Sequence, residues 1–146
     1  MPIRLFVYGT LKAGFPNHHL NTGRRLPGRY ITCQAFPLYV VRLPAEDRAP
    51  WLMNLPGQGH CVTGEVYEVD AADLPAIDRL EEVGQPTGYE RVSLALRSAD
   101  DPSVQLQAQA YLKPAAQWPR CLAHEGPYAE YTLDHAVGYY LIQDGF

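Results

Sequence analysis

Two adjacent carboxylates, Glu81 and Glu82, close a short amphipathic stretch, and a helix sends neighbouring side chains in different directions. With Ile77 at zero and a turn of about 100° per residue, Leu74 lies at about 60°, Leu80 at about −60°, Ala76 at about −100° and Val83 at about −120°, which defines an apolar arc. Glu81 falls at about 40°, inside the arc, whereas Glu82 falls at about 140°, beside Asp78, and should face water. A carboxylate in an apolar wall is costly to ionise, which raises its pKa and suits it to proton transfer near neutral pH. Glu81 is therefore a candidate general acid/base. A second reading competes with it, in which the helix end frays and Glu81 reaches solvent or pairs with Arg91. Glu65 is a further acidic candidate, but its face within a strand is undetermined, and a solvated or cross-strand-paired side chain is the alternative.

The segment Tyr8-Gly9-Thr10-Leu11-Lys12 ends an apolar run at a glycine, where backbone N–H groups lose their ladder partners. Successive N–H groups in such a nest bind a carboxylate or a developing oxyanion, and glycine lets a ligand approach the main chain. A plain turn is the simpler alternative. Pro50-Trp51-Leu52-Met53-Asn54-Leu55-Pro56-Gly57-Gln58-Gly59 is apolar and turn-rich. It reads as a loop that uses Trp51 either to roof a small-molecule pocket or to cover the edge of the core. His18 and His19 fall in an expected surface loop. The five histidines form no metal-ligand pattern, and no nucleophile elbow, P-loop or dinucleotide fingerprint is present, so neither metal nor nucleotide is expected. Cys33, Cys61 and Cys121 are odd in number and far apart, so they read as partly buried free thiols.

The elements that must position these residues are mostly strands. Twelve glycines and 13 prolines punctuate short apolar runs. Ile3 to Tyr8 reads as a central strand buried on both faces, Arg29 to Ala35 and Leu38 to Val41 as weaker strands, and Cys61 to Val69 as a strand in which Gly64 marks a bulge or a close backbone approach. Tyr89 to Arg97 and the cleanly alternating Gln105 to Leu112 form a hairpin across Ser98–Ser103. One helix is expected from about Leu74 to Val83, capped by Asp73, with Pro75 in its first turn and Gly84 beyond its end. From Tyr131 to Ile142 the sequence leaves helix or strand open. The 146 residues form one expected domain, large enough to bury a core without disulfides or a structural metal. The expected class is α+β, a small barrel-like curved sheet with a few packed helices. A net charge of −4 argues against nucleic acid as a partner, and no apolar run approaches a bilayer span. The N-terminal stretch lacks the features of a signal peptide, so a cytoplasmic protein is expected.

Taken together, these segments resemble the gamma-glutamylcyclotransferase family, and within it the gamma-glutamylamine branch. Tyr8-Gly9-Thr10-Leu11-Lys12 resembles the family's Y-G-[ST]-L loop, and Gly14-Phe15-Pro16-Asn17-His18 resembles the G-x-P-N-H of that branch. Pro50-Trp51-Leu52, Leu55-Pro56-Gly57-Gln58-Gly59 and Gly64-Glu65-Val66-Tyr67 follow in the same order and spacing. Ile77-Asp78-Arg79-Leu80-Glu81 looks like its L-D-x-F-E, with Ile77 and Leu80 replacing Leu and Phe, and Tyr89-x-Arg91 looks like its Y-x-R. Beyond about Arg120 only Glu125-Gly126-Pro127 matches. The resemblance implies release of 5-oxoproline from a gamma-glutamyl compound without a cofactor. It makes Glu81 the acid/base and Tyr8, Gly9, Thr10 and Leu11 the substrate loop, with Trp51, Tyr89 and Arg91 as further contacts. The implied partner is a small gamma-glutamyl substrate; a gamma-glutamylamine is favoured, glutathione or another gamma-glutamyl amino acid is the alternative, and a non-catalytic binding module is the alternative of another class.

Overall fold

The computed structural model describes residues 2–15, 23–44, 46–137 and 140–141. Along these the chain forms β1 (Pro2–Val7), β2 (Arg24–Arg25), β3 (Tyr30–Phe36), β4 (Leu38–Leu43), β5 (Glu46–Leu52), β6 (His60–Asp70), α1 (Leu74–Leu80), β7 (Glu90–Ser98), β8 (Gln105–Leu112), β9 (Ala123–Tyr128), α2 (Leu133–Ala136) and β10 (Tyr140–Leu141). The larger sheet has the order β1-β8-β7-β3-β6-β2, and β1 pairs in addition with β6. The length of β6 allows this, because His60–Gly64 runs along β3 while Glu65–Asp70 runs along β1. The sheet therefore curls back toward its first strand. Its seam is the parallel contact of β1 with β8, where Leu5 lies opposite Gln109. The result is the barrel-like curved sheet of an α+β fold. A smaller sheet, β10-β5-β4-β9, packs beside it.

Strand alternation sorts the apolar residues into separate cores. Phe6 of β1 and Tyr8 just beyond it point into the largest cluster with Val62, Val66, Leu94, Leu96, Ala108, Ala110 and Leu112. Leu5 and Val7 point the other way, to Tyr67, Val69 and Tyr111, where Ile77 of α1 covers them. β1 is thus buried on both faces in its second half, the apolar run that follows Arg4. Gly64 is a site of close approach: a Cβ there would lie 2.5 Å from the Val7 carbonyl oxygen and 2.7 Å from the Phe6 ring. Tyr131, in the tail, is fully buried in the main core.

Three expectations change. Pro50, Trp51 and Leu52 are not loop but the end of β5, paired with Val40, Tyr39 and Leu38. Helix α1 stops at Leu80, and Asp73 makes no side-chain cap; Asp70 instead accepts from the Ala72 N–H at 3.1 Å and starts the preceding 3₁₀ turn. Leu80, assigned to the apolar arc, is 48% exposed. The open segment at the tail holds both α2 and β10. Pro16, Asn17, His18, His19 and Tyr139 lie outside the described residues. Cys33, Cys61 and Cys121 are half-buried and unbridged. Among the described residues no helix is long and apolar enough to cross a membrane.

Gly64→Ala should destabilise the fold by about 1–3 kcal/mol through overpacking between β6 and β1. Urea unfolding should show a lower midpoint at an unchanged m value; an unmoved midpoint would show that the two strands have room to separate.

Candidate active site

The strand β1 delivers Tyr8 to the rim of the main core. Its hydroxyl is buried and donates to the Tyr111 carbonyl at 2.5 Å, which ties the end of β1 to β8. Gly9 follows beneath Pro50 of β5, so closely that a Cβ would lie 2.5 Å from the Pro50 Cγ. The turn closes where the Lys12 N–H donates to the Gly9 carbonyl at 3.1 Å, with Thr10 and Leu11 half-buried at its tip. Glu65 holds the far side of this turn. It is buried, accepts from the Ala13 N–H at 2.9 Å and from the Tyr67 hydroxyl at 2.8 Å, and lies 3.4 Å from the Arg25 guanidinium. It is therefore both inward and paired. Burial, then the bond to Glu65, pushes the Tyr67 phenol up to about 12. The Lys12 ammonium is buried too; it donates to the Tyr131 carbonyl and sits 4.3 Å from the centre of the Phe15 ring, and burial lowers its pKa.

Glu81 is the residue that ends α1. Its N–H donates to the Ile77 carbonyl at 3.0 Å, and its carbonyl accepts from the Tyr89 N–H at 3.0 Å. It is half-buried, whereas Glu82 is exposed. One turn earlier, Asp78 accepts from the Tyr111 hydroxyl at 2.7 Å and from Arg91 Nε at 3.0 Å. The stripe that meets the sheet is thus Leu74, Ile77, Asp78 and Glu81, rotated from the expected arc so that Leu80 leaves it and Asp78 joins. The charge on Glu81 is felt at both tyrosines. Burial and then Glu81 push the Tyr8 phenol well above its usual value, and the Tyr111 phenol is raised by burial, by Asp78 and also by Glu81. The helix end and the end of β1 therefore share one electrostatic neighbourhood.

Of the other expected site residues, Tyr89 joins this neighbourhood and two stand behind it. The half-buried Tyr89 hydroxyl donates to the Pro50 carbonyl at 3.2 Å, so Tyr89 and Gly9 meet the same proline. Trp51, expected either to roof a pocket or to cover the edge of the core, is fully buried with Val41, Leu43, Ala49 and Met53. Its indole N–H has no hydrogen-bond partner among the described residues. Arg91 sends its guanidinium outward to Asp78 and to Gln109 Oε1 at 3.3 Å, tying α1 to β7 and β8. Pro50 lay in the segment that the sequence named, and Asp78, Tyr111 and Lys113 are the residues that sequence reasoning missed. A signal for the last two existed: the face of β8 that carries Gln105, Gln107 and Gln109 continues with Tyr111 and Lys113, both buried, which marks where that face passes under cover. Among the described residues no cluster of His, Cys, Asp and Glu could hold a metal ion.

The model of the family described as gamma-glutamyl cyclotransferase, AIG2-like, matches residues 5–131, and the chain belongs to that family. It is 40% identical over 117 residues to the gamma-glutamylaminecyclotransferase of Mus musculus, covering 73% of this chain and 75% of that one. To the protein of the same name from Rattus norvegicus it is 44% identical over 98 residues, 64% of this chain and 62% of the relative, so that this match spans just under two thirds of the rat protein. The crystal structure of an AIG2-like protein from Mus musculus superposes with a TM-score of 0.77 at 34% identity, covering 99% of this chain and 98% of that one.

The tyrosines give a test of this geometry. A phenol whose folded pKa is raised binds its proton more tightly in the folded state, so its contribution to stability is intact below the unfolded value of 10.0 and is lost as pH climbs through the folded value. Stability should therefore fall between about pH 10 and 12. At about pH 11, tyrosinate absorbance of the folded protein should fall short of that of the urea-unfolded protein by at least the contributions of Tyr8, Tyr67 and Tyr111. Full tyrosinate absorbance without unfolding would contradict the burial of these hydroxyls.

Proposed function

We propose that this protein releases 5-oxoproline and a free amine from a gamma-glutamyl amine, with gamma-glutamyl-ε-lysine as the representative substrate. The observation that carries this reading is the half-buried Glu81 at the end of α1, whose carbonyl accepts from the Tyr89 N–H while the Tyr89 hydroxyl meets Pro50, the residue packed on Gly9. The substrate's own α-nitrogen is the nucleophile and attacks its γ-carbonyl carbon, so the protein needs no nucleophile or cofactor of its own. Folding the substrate so that these two atoms approach to about 3–3.5 Å removes entropy from the barrier, which is worth several kcal/mol.

Proton transfer then decides the rate. Only the free amine attacks, so ionised Glu81 takes a proton from the α-ammonium. Glu81 passes that proton to the leaving nitrogen as the lactam C–N bond forms and the bond to that nitrogen breaks, then takes the second proton that the attacking nitrogen sheds and hands it to the departing amine, which leaves as an ammonium. The main chain of the Gly9–Leu11 turn binds either the α-carboxylate or the tetrahedral oxyanion. Tyr89 bounds the site beside Pro50, and Trp51 and Arg91 support its walls. The amine specificity rests on the names of the mouse and rat relatives, which are gamma-glutamylaminecyclotransferases. The proposal includes a cytoplasmic location, where both classes of gamma-glutamyl compound would be met.

Glu81→Gln keeps the shape of the side chain and removes its proton chemistry, so turnover should fall by about 10²–10⁴-fold while Glu82→Gln stays within about twofold of wild type. Equal rates for Glu81→Gln and wild type would sink the assignment. Parallel assays of gamma-glutamyl-ε-lysine and glutathione, read as 5-oxoproline, should favour the former; faster release from glutathione would overturn the choice of leaving group, and no release from either would overturn the activity.

A further inference from the structure

The loop from Glu81 to Tyr89 is closed on itself. The Tyr89 N–H donates to the Glu81 carbonyl at 3.0 Å, Gln85 N–H to the Glu82 carbonyl at 3.0 Å, and Gly88 N–H to the Gln85 carbonyl at 3.1 Å. Glu82 and Gly84 take left-handed backbone conformations, at φ of 56° and 88°. Gly88 packs so tightly on the main chain of Glu82 that a Cβ would lie 1.8 Å from the Glu82 carbonyl oxygen. A displacement of residues 87 and 88 is therefore transmitted to residues 81 and 82.

Three side chains from another part of the chain reach this loop. The Lys113 ammonium donates to the Thr87 carbonyl at 2.9 Å and lies 4.0 Å from the centre of the Tyr89 ring and 5.0 Å from that of Trp51. Gln117 Nε2 donates to the Gly88 carbonyl at 2.5 Å, and Arg120 Nη1 donates to the Thr87 carbonyl at 3.3 Å and to Gln117 Oε1 at 2.7 Å. Lys113 and Gln117 are 3% and 6% exposed. Burying an ammonium and an amide is costly unless their bonds are made, so a position that required packing alone would be filled more stably by an apolar side chain. Lys113 is itself fixed, because its N–H donates to the Leu52 carbonyl at 2.7 Å and its carbonyl accepts from the Asn54 N–H at 3.0 Å, next to β5 and Pro50.

We infer that Lys113, Gln117 and Arg120 form a bracket of positioning residues that sets where Glu81 and Tyr89 stand relative to the turn at Gly9. The inference rests on the proposed acid/base role of Glu81. The bracket and the Gly9 turn refer to the same strand: Lys113 is bonded to the end of β5, and Gly9 and Tyr89 both meet Pro50 of β5. The helix side is held separately by Asp78. Glu81 is thus fixed from both directions, and removal of the bracket frees one of them.

The test uses the full chain, with Lys113→Met, Lys113→Arg, Gln117→Met, Arg120→Met and Glu81→Gln assayed for 5-oxoproline release from gamma-glutamyl-ε-lysine, and with binding of 5-oxoproline measured beside each. Misplacing an acid/base by about an ångström costs up to about 10²-fold, so Lys113→Met and Gln117→Met should each lose about tenfold or more in kcat. KM and the 5-oxoproline dissociation constant should stay within about threefold of wild type. Lys113→Arg, which can still donate to Thr87 and lie over the two rings, should restore most of the loss. A folded Lys113→Met enzyme with wild-type kcat, or a Lys113→Arg enzyme as slow as Lys113→Met, would overturn the inference. Should Lys113→Met fail to fold, the partly exposed Arg120 decides: a drop in kcat of severalfold at unchanged product binding supports the bracket, and an unchanged kcat overturns it. If Glu81→Gln is inactive while every bracket variant is fully active, this inference alone fails; if Glu81→Gln is fully active, the acid/base reading fails with it.

Discussion

The hydroxyl of Tyr8, donating to the carbonyl of Tyr111, holds the end of the first strand against the strand that completes the curved sheet. The seam there is parallel and thin, with Leu5 opposite Gln109. A buried phenol left without that acceptor would cost about 1–3 kcal/mol, so the bond fixes where β1 stops as well as closing the sheet. The same strand position that supplies the acceptor also supplies, on its outer face, the Tyr111 hydroxyl bound by Asp78 of α1. One residue of β8 therefore positions both the turn at Gly9 and the helix that ends in Glu81. The site follows from that coincidence.

Around this point the protein gathers buried polar groups and satisfies them. Glu65 fixes the turn through the Ala13 N–H, Asp78 fixes the helix through Tyr111 and Arg91, and Lys113 with Gln117 fixes the loop after it. Each of these acidic or basic groups has a geometric task in the fold. Glu81 differs in position: it stands at the helix end, half-buried, where its charge reaches both Tyr8 and Tyr111.

Much of this was legible in the sequence wherever the signal was periodic. Gln105–Leu112 alternates and is strand β8 over those residues, and the apolar run of β1 after Arg4 is buried on both faces as expected. Gly64 signalled the close approach of β6 to β1. The different burial of Glu81 and Glu82 was legible, because Glu81 lies one helical turn beyond Ile77 and two beyond Leu74. What failed was local chemistry overridden by tertiary pairing. Pro50 argued for a loop, but it pairs with Val40 within β5 and its ring packs over Gly9. Asp73 looked like a cap, yet a 3₁₀ turn begins earlier and Asp70 takes that role. Leu80 looked buried because hydrophobicity was taken as the guide, while the packed stripe is completed by Asp78. The bracket of Lys113, Gln117 and Arg120 had no local signature, since its targets lie about 30 residues away and only the fold brings them together.

The most direct test of the account is a crystal structure of the protein with 5-oxoproline bound. The account predicts a Glu81 carboxylate oxygen within about 2.6–3.2 Å of the lactam nitrogen, with the product's oxygens against the main chain of Gly9 to Leu11. A product bound away from that turn, or a Glu81 carboxylate too far from the ring nitrogen to exchange a proton with it, would contradict the central claim.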